Sequence, residues 1–99
     1  QQPLLLRVGS ALNELNGRVS VIGHTDNVPI RTLSFPSNWE LSEHRALSVR
    51  NVLGQAVAEQ RLSAEGRADT QPLVDNSTPV NRALNRRVEV TLFYQGGDL

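Results

Sequence analysis

Apolar positions along this chain recur first at helical spacing and then at strand spacing. Leu4, Val8, Ala11, Leu12 and Leu15 fall at three- and four-residue intervals, and Asn16-Gly17 then supplies a stop. This predicts a helix over 4–15. From residue 19 the period becomes two. Val19, Val21, Gly23 and Thr25 alternate with Ser20, Ile22, His24 and Asp26, so successive side chains point to opposite faces of a strand ending near Thr25 or Asp26. Pro29 and Pro36 make 27–37 a loop. Ser37 with Glu40 three residues on is a capping-box pattern, which opens a helix by satisfying its first backbone N–H groups. A long helix to about Gln60 follows. Ala46, Val49, Val52, Leu53, Ala56 and Val57 form its core stripe, and Glu43, Arg50, Gln55 and Glu59 its wet side.

In the second half, Leu62, Ala64 and Gly66 alternate with Arg61, Ser63 and Glu65 in a second strand. The stretch 67–85 is polar, and Thr78-Pro79 caps a single helical turn through Leu84. Val88, Val90 and Leu92 alternate with Arg87, Glu89, Thr91 and Phe93 in a third strand, and 95–99 reads as a frayed tail. The expected fold is an α/β sandwich, a small mixed sheet with helices packed on one face. A strand, long helix, strand connection favours parallel pairing with a right-handed crossover. The last strand is expected to pair antiparallel. Three strands leave room for a further first strand, upstream of Gln1 or supplied by another molecule.

Length and charge narrow the classes of function. The 99 residues fit a single domain, 1–99, with its core over about 4–93. Ten basic and ten acidic residues cancel, which argues against nucleic-acid binding by bulk charge. No apolar run approaches the roughly 20 residues that span a bilayer. The absence of cysteine excludes disulfides and thiolate metal sites and leaves the redox compartment open.

Four segments carry a resemblance: "VIGHTDNVPI" (21–30), "SNWELSEHRA" (37–46), "RLSAEGRADTQPL" (61–73) and "NRRVEV" (85–90). In order and spacing the chain resembles the OmpA-like peptidoglycan-binding domain over about 4–93. "NVPI" and "FPSNWELS" are similar to the branch shared by flagellar stator protein B and the periplasmic extension of the type VI secretion protein TssL. "PIRTLSFPSNWELS" together with "RLSAEGRADTQPL" is closer to the secretion version. The resemblance implies a periplasmic module of an inner-membrane protein, with its anchor upstream of this chain. It implies peptidoglycan and other subunits of an envelope complex as partners, self-association into a homodimer, and no cofactor.

The resemblance also implies a ligand, the diaminopimelate of a peptidoglycan stem peptide, whose side chain ends in an ammonium and a carboxylate on one carbon. By motif match Asp26 receives the ammonium and Arg45 grips the carboxylate through its planar fork. Asn38 matches a ligand-binding asparagine, and backbone N–H groups near Trp39 and Leu41 add donors. Arg86, in alternation with Val88 and Val90, is expected to point toward the site, Arg87 elsewhere, and Thr25 to hydrogen-bond around Asp26. Arg45 lies four residues after Leu41 and four before Val49, beside the core stripe. An arginine there needs a partner, so Asp26 is expected close to it even without ligand.

Other readings of these residues are structural. Asp26 is a natural turn former, Arg45 a tie between helix and loop, His24 a packed strand residue, and Trp39 a cover for the core edge. His24, Asp26 and His44 are too few for a catalytic zinc site. Arg82, Arg86 and Arg87 read by default as scattered surface arginines. For a peptidoglycan hydrolase one would want a paired acid and base, a zinc constellation or an activated nucleophile. None is discernible: Ser37, Ser42 and Ser48 have roles as caps or exposed helix residues, and arginine stays protonated.

Overall fold

The alternation that begins at Val19 is realised as strand β1 (Arg18–Gly23), the centre of a three-stranded mixed sheet. The structure is a computed structural model and describes residues 2–93; the expected tail over 95–99 lies outside the described residues. Strand β2 (Leu62–Gly66) pairs parallel to β1, and β3 (Val88–Phe93) pairs antiparallel on its other side. The register stacks the apolar positions of all three strands into rows: Leu62, Val19 and Leu92; Ala64, Val21 and Val90; Gly66, Gly23 and Val88. Val19 and Val21, in the middle, are fully buried.

Helix α1 (Gln2–Asn13) packs against α2 (Asn38–Leu53), and α2 packs against the sheet. Ala46 and Leu53 of α2 join Val19, Val21 and Leu62 in the core, with Val8 and Leu12 of α1 at its margin. Ser37 caps α2, its hydroxyl oxygen accepting from Trp39 N at 3.2 Å. Its hydroxyl donates to the Glu40 carboxylate, so the cap is closed side chain to side chain. The helix stops at Leu53 and not near Gln60. Gly54 and the turns that follow, with Val57 N donating to Leu53 O, fold Val57 back into the core. Its burial continues the apolar period after the helix has ended. A short 3-10 turn, Glu59–Arg61, leads into β2.

Two glycines set how close α2 comes to the sheet. A Cβ on Gly23 would stand 2.1 Å from Ser42 O, and one on Gly66 would stand 2.4 Å from Glu43 N. These residues are paired across β1 and β2, and only residues without a side chain let the first half of α2 lie this near the strand ends. Ser42 completes the contact. Its hydroxyl donates to Trp39 O and accepts from Ala68 N at 3.1 Å, fixing the turn after β2 to the helix.

Past Gly23 the chain stays held on both sides, with His24 N bonded to Arg87 O and Thr25 N bonded to Ala68 O, each at 2.8 Å. Helix α3 (Pro79–Asn85) starts as expected at Thr78, whose side chain accepts from Asn81 N. It ends on Asn85, fully buried, whose amide binds Leu73 N, Val74 N, Val74 O and Asn76 Oδ1. That knot ties the C-terminal end of α3 to the 73–76 loop, and the His24 N–Arg87 O bond holds the residues that follow against the end of β1. No helix among the described residues is long and apolar enough to cross a membrane.

Candidate functional site

The end of β1, the start of α2 and the end of α3 enclose a cavity of about 400 Å³ lined by Thr25, Asp26, Val28, Pro29, Ile30, Asn38, Leu41, Arg45, Arg82 and Arg86. All six residues singled out from the sequence, Asp26, Asn38, Arg45, Arg86, Thr25 and Leu41, therefore share one site. Asp26 sits deepest among the charged groups, with its side chain 10% exposed. One carboxylate oxygen accepts from Val28 N at 3.0 Å, an Asx turn that bends the chain out of the strand. The other accepts from Arg86 Nη1 at 2.6 Å.

That ion pair corrects an expectation. Asp26 is paired with Arg86 and not with Arg45. Arg86, the residue capping α3, is brought to the strand end by the bond from His24 N to Arg87 O beside it, while Arg45 stands about two turns into α2. Arg45 is half-buried at the cavity wall and makes no hydrogen bond or ion pair among the described residues. Its guanidinium is therefore available to a ligand. Arg86 does point to the site, although it arrives from a helix end and not from within the last strand. Arg87 faces elsewhere, binding the Glu89 carboxylate, Gln71 O and Asn85 O.

The loop that forms the apolar wall is tied to α2 by Asn38. Its amide nitrogen donates to Val28 O at 3.0 Å and reaches Asp26 O at 3.5 Å. Thr25 donates its hydroxyl to Asp26 O at 2.8 Å, so it orients the backbone of Asp26 and not its carboxylate. The backbone donors expected near Trp39 and Leu41 are already used. Trp39 N is taken by the Ser37 cap, and Leu41 N makes the first helical bond, to Ser37 O at 3.2 Å. Leu41 contributes its side chain to the cavity instead. Trp39 is 51% exposed and does not cover the core edge, because the first turn of α2 extends beyond the sheet rows that end at Gly23 and Gly66.

Arg82, by sequence one of several scattered surface arginines, is a charged residue of the cavity lining. Its signal was its position four residues before Arg86, which puts both on one face of α3. Next to the cavity, His24 is buried, with Nε2 3.4 Å from Glu89 Oε1 and neither ring nitrogen hydrogen-bonded. Burial, and then the Arg87 charge, push its pKa below the ordinary histidine value, outweighing Glu89. Among the described residues no group of three or more His, Asp or Glu is arranged to hold a metal ion.

A profile of the OmpA family matches residues 1–86, spanning both the acid of the cavity and its arginines. The chain belongs to the OmpA family. Its fold and sequence are similar to the cell wall anchor of the T6SS from Pseudomonas aeruginosa, at 50% identity and a TM-score of 0.88 over 95% of this chain and 66% of that one. The C-terminal domain of Helicobacter pylori MotB matches with a TM-score of 0.88 and 30% identity, over 98% of this chain and 74% of that chain. Motility protein B of Bacillus subtilis is 39% identical over 83 residues, covering 79% of this chain and 31% of its own length. This OmpA-family chain spans about a third of the length of the first curated relatives it matches. The mixed sheet with helices packed against it is the fold of these neighbours.

Proposed function

We propose that this domain binds peptidoglycan noncovalently through the diaminopimelate of its stem peptide, and so anchors a type VI secretion membrane complex to the cell wall. The observation that carries the reading is the juxtaposition of a deep carboxylate and an unengaged guanidinium in one cavity: Asp26 beside Arg86, with Arg45 on the facing helix. The ammonium of the ligand approaches the Asp26 carboxylate, whose position is held by Val28 N and Arg86. The carboxylate on the same carbon lies against the Arg45 fork. Asn38 holds the loop that shapes the apolar wall and keeps its amide oxygen for the ligand. Val28, Pro29, Ile30 and Leu41 exclude water from the methylene chain.

Binding without turnover fits this lining. The acid nearest the ligand is engaged by an arginine that stays protonated, and the hydroxyl of Thr25 is committed to a backbone carbonyl. Neither is a general base or an activated nucleophile. Likeness to the T6SS anchor at 50% identity, against 30% and 39% for the two MotB proteins, favours the secretion complex over a flagellar stator as host. The reading puts the domain in the periplasm as part of an inner-membrane protein, with retention on the wall built from many weak attachments. Sedimentation with purified sacculi tests it. The wild-type domain is expected to pellet with sacculi that are recovered uncut, and folded Asp26→Ala and Arg45→Ala variants are expected to stay in the supernatant. Retention of both folded variants would move the site elsewhere.

A further inference from the structure

The cavity is not charge-balanced. It is lined by one carboxylate, Asp26, and by three guanidinium groups, Arg45, Arg82 and Arg86. Asp26 and Arg86 neutralise each other at 2.6 Å, which leaves two positive charges on the walls. A ligand end with one ammonium and one carboxylate adds no net charge. It uses Asp26 and Arg45, and it offers nothing to Arg82.

Arg82 is nonetheless fixed at the cavity wall. It sits in the last turn of α3, four residues before Arg86, whose own charge is already met by Asp26. Its Nη1 donates to Asn76 O at 3.0 Å, which fixes one edge of the fork. Its other N–H groups make no hydrogen bond among the described residues, and the half-buried side chain lines the cavity. A guanidinium with one edge anchored and another facing a cavity is preorganised for a planar two-oxygen acceptor.

We infer that Arg82 binds a second carboxylate of the ligand, so that the site takes a stem peptide presenting two carboxylates and not an isolated zwitterion. This rests on the reading of the cavity proposed above. In a stem peptide that carboxylate has two chemical sources: the α-carboxylate of the γ-linked D-glutamate that precedes diaminopimelate, or the carboxylate that ends the peptide after it. Both present the same acceptor to the fork.

Calorimetric titration with three synthetic tripeptides tests the assignment. All contain diaminopimelate. One is a free acid throughout, one is amidated on D-glutamate, and one is amidated at its C-terminus. The wild-type domain is expected to bind one of the amides about tenfold more weakly than the free acid, the loss of one charge-assisted pair at a partly exposed site. Which amide weakens identifies the source. In Arg82→Gln the free acid and that amide are expected to bind alike, while a lysine-containing tripeptide remains much weaker than both. Arg82→Lys, which keeps the charge and loses the fork, is expected to retain only part of the preference, and it decides the matter if Arg82→Gln does not fold. Equal wild-type affinity for all three peptides overturns the inference, as does an acid preference undiminished in Arg82→Gln or Arg82→Lys. Joint loss in Arg82→Gln of the acid preference and the discrimination against lysine makes Arg82 a support of the wall and also overturns it. Wild-type binding that prefers the acid yet accepts lysine equally contradicts the diaminopimelate reading alone.

Discussion

Removing Arg86 is expected to cost stability and removing Arg45 is expected to cost little. In Arg86→Ala the Asp26 carboxylate, 10% exposed, loses its 2.6 Å charge-assisted partner and keeps only the Val28 N–H. Breaking a fully buried pair costs about 3–5 kcal/mol. The Arg86 side chain is 44% exposed, so water screens part of the interaction and the expected loss is about 1–2 kcal/mol. In a chain of this length each kcal/mol shifts the melting temperature by about 4–8 °C. Arg45→Ala removes a side chain with no hydrogen bond or ion pair among the described residues, so only stem packing is lost, about 0.5 kcal/mol. A double-mutant cycle by thermal or urea unfolding, crossing Asp26→Asn with each arginine variant, isolates the two couplings. Asp26 and Arg86 are expected to couple by about 1–2 kcal/mol, and Asp26 and Arg45 by no more than about 0.5 kcal/mol. A coupling to Arg45 as large as that to Arg86 would refute the pairing on which the free guanidinium depends.

Gly23→Ala would place a methyl 2.1 Å from Ser42 O, with backbone on both sides, so α2 must lift from the sheet. The expected loss is about 3 kcal/mol or more, read as a fall in the urea midpoint, and a near-neutral result would mean that the close approach is absent. His24 gives a pH dependence. Its folded pKa lies below 6.5 because burial and the facing Arg87 and Arg67 charges outweigh Glu89. Above 6.5 the histidine is neutral in both states and stability is complete. As pH falls through that value the unfolded chain takes up a proton that the native one refuses, and stability declines until the folded pKa is passed. The lowered carboxylates Glu40, Glu65, Asp75 and Glu89 add their own losses only as pH falls below about 4.5. Melting temperatures between pH 8 and 5 are expected to fall on acidification, with a shallower slope in His24→Gln; equal slopes would contradict the buried neutral histidine.

Local chemistry made most of the elements legible. The period-two runs at Leu62 and Val88 are strands within a residue of their expected limits, the run at Val19 is a strand that ends at Gly23, two to three residues short of the expected Thr25 or Asp26, and Thr78-Pro79 opens α3 where capping chemistry put it. The end of α2 was not legible, because Ala56 and Val57 keep the helical period while the chain turns at Gly54. Periodicity records burial, and a turn that buries the same side chains leaves the same trace. The site's residues were readable as a set from their motifs, but the partner of Asp26 was not. The helical spacing of Arg45 pointed to it, and the choice of Arg86 is made where the chain after α3 meets the end of β1, His24 N bonding Arg87 O one residue past Arg86. That is a tertiary contact with no local signature. Arg82 did leave a signature, the four-residue step to Arg86, which a neutral overall charge masked.

Isothermal calorimetry with two stem peptides that differ in one group tests the proposed recognition most directly. One carries diaminopimelate and the other lysine, which keeps the ammonium and lacks the carboxylate on the same carbon. With Arg45 free to grip that carboxylate, the diaminopimelate peptide is expected to bind at least about tenfold more tightly, and Arg45→Ala to erase the difference. Equal affinity of the wild-type domain for the two peptides would contradict recognition of the zwitterion.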